Sequence, residues 1–326
     1  MSLLHLPDEL LLDISDRLDF RGISNFRKVN RHLRSLLDTY PPTHNFSFIG
    51  METYQDGVEV NYSSQNERSY HHLYKTKNAK INRNRHKEII GEDFVKMFSQ
   101  DFKLALSYQK SPLPTLILHA EKQTSGVEEI ATILKSRSKP LPVKNLELIV
   151  NAQSEALKIL PFVDPDVLEA IQLFQLEQGQ NKPHVPLKPE EFEHLTPWKS
   201  AAVLFSDFWI QDTSSLHHFL HFETVIVRVE KVYLKDLFML RDILLNKTHS
   251  LIDISFNYSE FPGLDSIGQM LNVDVCAALP EHAYYKIPNS NDYLVVSVNF
   301  LMIRFERVDS EYVQYEEDSR ADFFVV

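Results

Sequence analysis

The sequence predicts a mixed α/β protein in which three short helices precede an array of alternating strands and helices that closes with a hairpin. Three observations predict this fold class. Apolar residues recur at helical spacing before the Pro41-Pro42 pair. Short apolar runs separated by amphipathic segments fill the middle of the chain, and an alternating apolar stretch follows a turn near its end.

Length and composition narrow the class of protein. The chain has 326 residues, of which 43% are hydrophobic and 24% charged, so it can bury a sizeable core. The formal net charge of -11 repels a phosphate backbone, so nucleic acid is not an expected partner. The single cysteine, Cys276, permits no internal disulfide, which favours a reducing compartment.

The N-terminal apolar run differs from a signal peptide because Asp8, Glu9 and Asp13 interrupt it. No later stretch approaches the roughly 18 uninterrupted apolar residues that a membrane span needs. We therefore expect a protein that is cytoplasmic, nuclear or both, with no membrane partner.

The first 40 residues carry a helical pattern three times. Pro7 suits the first turn of the first helix because its missing N–H has no partner there anyway. A spacing of four residues predicts one apolar stripe on that helix, made of Leu10, Ile14 and Leu18 with Leu11 beside them. The later helices have apolar faces of their own, formed by Ile23, Phe26 and Val29 and by Leu33, Leu36 and Leu37.

The first helix has two interpretations. Its apolar stripe either packs on the body of the chain as ordinary core, or stays free to enter a groove on another protein. We favour the second, because the ordered residues of this segment resemble a docking module.

Three ordered segments carry a family resemblance: Leu6-Pro7-x-Glu9-Leu10-Leu11-x-x-Ile14, then Leu18-Asp19-Phe20, then Arg27-x-Val29-x-Arg31-x-Leu33. Residues 3–42 resemble an F-box, the module that docks substrate receptors onto the small adaptor subunit of cullin-based SCF ubiquitin ligases. The resemblance implies an adaptor-binding surface and, through the adaptor, an indirect link to a cullin. The residues it implicates are Leu6, Pro7, Glu9, Leu10, Leu11, Ile14, Leu18, Val29 and Leu33. By the same analogy, Arg27 and Arg31 face an acidic adaptor surface.

Residues 43–100 predict a hairpin and a basic connector. Apolar residues alternate on both sides of the turn-like Gln55-Asp56-Gly57, which predicts the hairpin. Between Lys75 and Lys87 the chain has six lysines and arginines and no acid. This run either contacts nucleic acid or phosphate, or is a solvated connector. We favour the connector because neither a glycine-rich loop nor interleaved aromatic residues accompany it.

The middle of the chain repeats loosely as strand–helix pairs. Short apolar runs occur at 116–118, 146–148, 171–173, 202–204, 225–227 and 251–254, each followed by a helical segment. The mean spacing of about 27 residues is typical of a degenerate leucine-rich-repeat-like solenoid. The intervening helices show apolar faces, for example Val127, Ile130, Ile133 and Leu134, and Leu234, Leu237, Leu240, Leu244 and Leu245. Stacked pairs of this kind offer an extended surface suited to binding.

The C-terminal segment predicts a cap for this array. Residues 293–308 alternate after the turn Pro288-Asn289-Ser290-Asn291, which predicts a capping strand or hairpin. Residues 309–326 contain several acids and predict a loose acidic tail.

A second resemblance covers residues 101–308. It is carried by Leu104-Ala105-Leu106-x-x-Gln109-Lys110-Ser111, by the repeating body, and by the segments Ile287-Pro288-Asn289-Ser290-x-Asp292-Tyr293 and Ile303-Arg304-Phe305-Glu306-Arg307-Val308. These residues resemble the FTH domain, also catalogued as domain of unknown function 38, which follows an F-box in the expanded nematode family of F-box A proteins. The order of the two domains strengthens the resemblance.

Candidate chemistry is sparse. His217 and His221 have the i, i+4 spacing that metals use, with His218 beside them, but the glutamate of a zinc-protease motif is absent and the neighbouring phenylalanines predict a packed helix. No nucleophile elbow, P-loop or dinucleotide fingerprint occurs. Cys276 between Val275 and Ala277 is expected to be a small buried hydrophobe. We expect no catalytic residue, metal or cofactor.

The sequence therefore predicts a non-enzymatic substrate receptor of an SCF-type ligase. The F-box would hold the adaptor, and the repeat domain would hold a protein target of unknown identity. The alternative is an interaction scaffold that uses the same domains without recruiting a cullin. An enzyme on the repeat body is the third class, and no motif supports it.

Overall fold

The computed structural model describes residues 6–42, 45–64, 69–79, 87–91, 93–120, 126–176, 185–246, 251–268, 281–299 and 301–312. The chain divides into two compact units, Met1–Leu168 and Glu169–Val326. Both combine strands with helices, as the sequence predicts for a mixed α/β protein.

The first unit begins with the three predicted helices, α1 (Asp8–Asp16), α2 (Phe20–Val29) and α3 (Arg31–Thr39). Three further helices follow later in this unit: α4 (Phe94–Tyr108), α5 (Gly126–Lys135) and α6 (Gln153–Ile159). A 3-10 turn at Leu160–Phe162 extends α6. The apolar face predicted for α5 is buried as expected, since all four of its members are inaccessible to solvent.

The sheet of the first unit contains six strands: β1 (Phe46–Tyr54), β2 (Gly57–Ser64), β3 (Tyr70–Lys75), β4 (Lys87–Ile90), β5 (Leu113–Ala120) and β6 (Val143–Val150). Their order is β6-β5-β1-β2-β3-β4. Strands β1 and β2 form the predicted hairpin, while β1 also pairs in parallel with β5 and β5 with β6.

Residues 43–100 contain the predicted hairpin, and the strands on either side of the basic run, β3 and β4, pair with each other in the sheet. In the basic run, which we predict to be a solvated connector, Lys77 is exposed. Lys75, expected on a solvated run, lies at the end of β3, is 8% exposed, and its Nζ donates to Glu88 Oε1 at 2.6 Å. Lys80, Arg83 and Arg85 lie outside the described residues.

The second unit contains seven strands: β7 (Ala170–Gln175), β8 (Val203–Asp212), β9 (Thr224–Lys231), β10 (Asp253–Glu260), β11 (Glu281–Lys286), β12 (Tyr293–Val298) and β13 (Met302–Val308). Their order is β11-β12-β13-β10-β9-β8-β7, and β7 to β10 are mutually parallel. The connections hold α7 (Thr196–Ser200), α8 (Leu234–Leu245) and 3-10 helices at Pro189–Glu191, Thr213–Phe219 and Leu264–Ser266.

All six apolar runs predicted as repeat strands lie in β5 to β10 or at their starts. Along β9 the buried residues Val225, Val227 and Val229 alternate with exposed ones, so one face of the strand is covered and the other is solvated. On α8, Leu237, Leu240 and Leu244 are buried, and the 3-10 helix at Thr213–Phe219 lies against this helix.

The predicted C-terminal hairpin is present as β12 and β13. The Pro288–Asn291 turn joins β11 to β12, with Asn289 at φ 57° in the left-handed region that asparagine tolerates. Strand β13 pairs antiparallel with β10 and thereby covers the edge of the parallel array. Of the predicted acidic tail, residues 313–326 lie outside the described part of the chain, as does Cys276.

No helix among the residues described is both long enough and apolar enough to cross a bilayer.

Candidate functional site

Helix α1 turns one apolar side chain inward and another outward. Leu11 is fully buried, whereas the adjacent Leu10 is 49% exposed. Ile14, one helical turn beyond Leu10 on the same face, is half-buried, and Pro7 at the N-terminal end is exposed. The helix is therefore anchored by one face and presents an apolar outer face made of Pro7, Leu10 and Ile14.

Both following helices begin with side-chain caps. The Asp19 carboxylate accepts from the backbone N–H of Gly22 at the start of α2, and the Asn30 side chain accepts from Leu33 N at 2.7 Å at the start of α3. A Cβ on Gly22 would lie 2.8 Å from the Asp19 carboxylate, so glycine permits this close approach. The caps fix where α2 and α3 start.

One ion pair and one histidine–carboxylate contact connect the three helices. Arg27 on α2 donates through Nε and Nη2 to the two carboxylate oxygens of Asp38 on α3, at 2.7 and 3.1 Å. His32 on α3 lies 2.8 Å from an Asp8 oxygen on α1. The Arg27 pair is bidentate and half-buried, which is the geometry that fixes orientation best.

Phe20, at the start of α2, anchors the helices on the sheet of the first unit. Its ring lies 5.1 Å from Phe46, 4.9 Å from Tyr62 and 6.4 Å from Tyr108, measured between centroids. Phe20 is 3% exposed. The body on which the small helical module relies is therefore β1, β2 and the end of α4.

Burial shifts the pKa values of the titratable side chains around the Phe20 ring. Burial lowers the pKa of His72 on β3 to about 4, with a further lowering from nearby Lys87, so the imidazole is neutral at pH 7. Burial also raises the pKa of Tyr62 and raises that of Tyr108 to about 12. The anchor is thus an uncharged aromatic cluster under physiological conditions.

Comparison of the chain with protein-family models gives two matches. The F-box domain model matches residues 3–45, and the FTH domain model matches residues 125–270. The chain is an F-box protein with an FTH domain. The F-box match covers α1 to α3, and the FTH match begins near the start of α5 and includes β6 to β10. No curated protein and no solved structure matches the chain.

The predicted adaptor-binding residues separate into two groups in the F-box. Pro7, Glu9, Leu10 and Val29 are exposed, and Leu6, Ile14 and Leu18 are half-buried. Leu11 and Leu33 have no exposed surface and belong to the core of the F-box. Contact with a partner is therefore available to the first seven, while Leu11 and Leu33 support them from beneath.

The positions of Leu18 and Arg27 differ from what the sequence predicts for the F-box. Helix α1 ends at Asp16, so Leu18 lies beyond it and does not continue the face of Leu10 and Ile14. Val29, which the resemblance places among the adaptor-binding residues, is 56% exposed at the last residue of α2. Arg27, expected to face an acidic adaptor, is held by Asp38 instead, whereas Arg31 is exposed.

Tyr40 was absent from the predicted site residues, although it is 59% exposed just after α3 in the F-box. The sequence itself gives a reason to expect that the Tyr40 side chain is exposed. An aromatic residue between an amphipathic helix and a Pro-Pro pair has no helical neighbours to cover it. Tyr40 joins Leu10 and Val29 as the large apolar side chains that this domain exposes most.

The histidines considered for metal binding have separate partners within the FTH domain. His217 Nδ1 lies 2.6 Å from Ser214 O, His218 Nδ1 lies 2.5 Å from Glu193 Oε1, and His221 Nε2 lies 3.1 Å from Trp198 O. His217 and His218 belong to a 3-10 helix, where the i, i+4 relation of an α-helix is lost. Among the described residues no group of three or more histidine, cysteine or acidic side chains is arranged to hold a metal ion.

Proposed function

We propose that this protein is the substrate-recognition subunit of an SCF-type cullin-RING ubiquitin ligase. The F-box docks on the adaptor subunit, and the FTH domain binds a protein target. Ubiquitin transfer then takes place on other subunits, which the receptor serves by holding the target close to them.

The observation that carries the proposal is the outer face of α1. A leucine such as Leu10 gains about 1.5–3 kcal/mol when it is buried, so its half-exposed position leaves a gain that a partner groove can realise. The rest of the F-box is fixed by Leu11, the helix caps and the Phe20 anchor. Little ordering cost is then left for the moment of binding.

Target binding by the FTH domain is supported by its strand–helix units. Successive strands from β5 to β10 begin 21 to 33 residues apart, a range that includes leucine-rich-repeat periods. We propose that these units are degenerate leucine-rich-repeat-like repeats of a solenoid. On β8 and β9, Val203 and Ile226 are exposed on the solvated side, which provides apolar contact area for a protein.

The second candidate function is an interaction scaffold that binds the adaptor but no cullin. The same F-box geometry serves both functions, so the distinction lies in what assembles on the adaptor. If the ligase proposal holds, affinity purification of the tagged protein from a cell extract should recover the adaptor together with a cullin. Recovery of the adaptor alone, from an extract in which the cullin is present, would favour the scaffold.

Leu10→Asp tests the adaptor-binding half directly. The substitution places a charge on the outer face without touching the core, so we expect binding of the recombinant adaptor to the full chain to weaken at least about tenfold. The melting temperature should stay within a few degrees of that of the parent protein. The readout is surface plasmon resonance on immobilised adaptor, with a melting curve of each variant.

Leu301→Asp is the matched control, because Leu301 is 71% exposed in the loop before β13 and lies outside the F-box match. It should bind the adaptor like the parent protein. Leu11→Ala provides the opposite contrast, since loss of a buried leucine costs about 2–5 kcal/mol of stability. Adaptor binding that survives Leu10→Asp unchanged would contradict the proposal.

A further inference from the structure

A cleft in the first unit has no role in the proposed function. It lies where the C-terminal end of α4 meets the end of α5 and the loop that follows, and its volume is about 430 Å³. That volume is in the range of small-ligand sites. The lining residues of the cleft all lie outside the F-box match.

The lining of this cleft is strongly basic. Four cationic side chains contribute to it and no aspartate or glutamate does. We call it the basic cleft and define it by Lys103, Lys110, Arg137 and Lys139. This concentration of positive charge is found on a chain whose formal net charge is -11.

Part of this positive charge is compensated by backbone carbonyl groups at the C-terminal end of a helix. Lys110 Nζ donates to Ser107 O at 3.2 Å and Arg137 Nη1 donates to Leu106 O at 3.3 Å, both near the C-terminal end of α4. Each helix end carries roughly half a negative charge. Two helix ends therefore balance about one of the four cations, and a clear positive excess is left in the cleft.

Arg137 is the most buried of the four cations, since it is half-buried while the three lysines are exposed. Its Nε is buried and has no hydrogen-bond partner among the residues described. Burial lowers the pKa of its guanidinium, and no neighbouring acid offsets this effect. Partial burial of a cation without an acidic partner costs free energy, and an anionic ligand that accepts from the unpaired Nε offsets that cost.

We propose that the basic cleft binds a phosphate monoester. A monoester carries up to two negative charges and three acceptor oxygens at neutral pH, which match several converging cations better than one carboxylate does. Arginine suits this group because its planar fork donates to two oxygens at once. The phosphate can belong to a phosphorylated protein segment or to a small metabolite.

The test measures fluorescence anisotropy of a labelled peptide that contains one phosphoserine, with the purified full chain and no adaptor. We expect the phosphopeptide to bind at least about tenfold more tightly than the same peptide with serine. Lys103→Gln combined with Lys139→Gln should remove most of that preference. This pair is chosen because neither side chain makes a hydrogen bond to a helix end in the described structure, so folding is preserved.

Lys135→Gln is the control, since Lys135 is on α5 but outside the lining of the cleft. It should keep the preference of the parent protein. Displacement of the peptide by O-phosphoserine at a similar concentration supports a small-metabolite ligand, and failure of that displacement supports a protein segment. Equal affinity for both peptides, or equal loss in Lys135→Gln and in the double variant, overturns the proposal. Binding of a single-stranded oligonucleotide that competes with the phosphopeptide also overturns it, because the cleft would then be a general polyanion site.

Discussion

The hydroxyl of Tyr70 on β3 donates to the carboxylate of Asp19, the same carboxylate that caps α2. One side chain therefore joins a helix start in the F-box to a strand of the sheet beneath it. This link lies beside the Phe20 anchor, and together they fix α2 at its first turn.

Removal of this link should weaken the first unit in a graded way. Tyr70→Phe loses one hydrogen bond to a charged group, so we expect the free energy of unfolding to fall by about 1–2 kcal/mol. Asp19→Ala loses that bond and the helix cap, and should cost about 1 kcal/mol more. Urea denaturation followed by circular dichroism measures both. An Asp19→Ala variant no less stable than Tyr70→Phe would show that the cap contributes nothing.

A buried hydroxyl in the second unit makes a similar test. Thr213 Oγ1 donates to Asp236 Oδ2 at 2.8 Å and accepts from Tyr233 N at 3.1 Å, and both side chains are nearly inaccessible. Thr213→Val removes both hydrogen bonds, one of them to the buried Asp236 carboxylate, and should cost at least about 2 kcal/mol. Thr213→Ser keeps the hydroxyl and loses one methyl, which costs about 1 kcal/mol. Equal losses in guanidinium denaturation would assign the effect to packing instead.

An ion pair between β13 and β10 adds to the backbone pairing of these strands, and salt can probe it. Arg304 on β13 donates through Nε and Nη2 to Asp253 on β10, at 3.0 and 2.9 Å. Because Arg304 is partly exposed, we expect Asp253→Asn to lower the free energy of unfolding by only about 1 kcal/mol. The difference from the parent protein should shrink in 1 M sodium chloride, where charges are screened within about 3 Å. A difference unaffected by salt would contradict an electrostatic origin.

The depressed pKa of His72 predicts a pH dependence of stability. Its folded value of about 4 lies below the ordinary 6.5, so between these two values the unfolded chain binds more protons. The free energy of unfolding should therefore be unaffected above pH 6.5 and decline by up to about 3 kcal/mol as the pH falls to 4. His72→Gln should show a shallower decline in urea titrations at pH 7, 6, 5 and 4. Parallel curves for the two proteins would show that another group is responsible.

The sequence predicts the apolar, periodic parts of this fold well. It predicts poorly the polar segments whose partners lie far away in the chain. The runs that became β5 to β10 and the face of α5 are apolar at a regular period, and burial follows that period directly. Strand β3 was missed because its sequence YHHLYK looks polar, yet Leu73 and Tyr74 are fully buried. Its polar groups find partners across the fold, such as Tyr74 with Asp101, and spacing along the chain does not reveal such partners.

The candidate site shows the same limit. Helical spacing correctly placed Leu10 and Ile14 on one face of α1. It could not say that Leu11 would be the buried neighbour and Leu10 the exposed one, because that choice depends on where α3 and the sheet lie. The analogy that turns Arg27 toward an acidic adaptor likewise could not reveal its partner Asp38, eleven residues later, whose carboxylate lies 2.7 Å from the Arg27 Nε.

The position of Phe20 determines how this F-box can be transplanted. Excision of residues 3–45 would leave that ring in water and lose its contacts with the rings of Tyr62 and Tyr108, both of which lie beyond the excised segment. A chimaera that borrows this F-box should therefore extend to Leu168, where the first compact unit ends. The segment that must be transferred with this F-box is therefore determined by the contacts of the Phe20 ring and not by where the helices end.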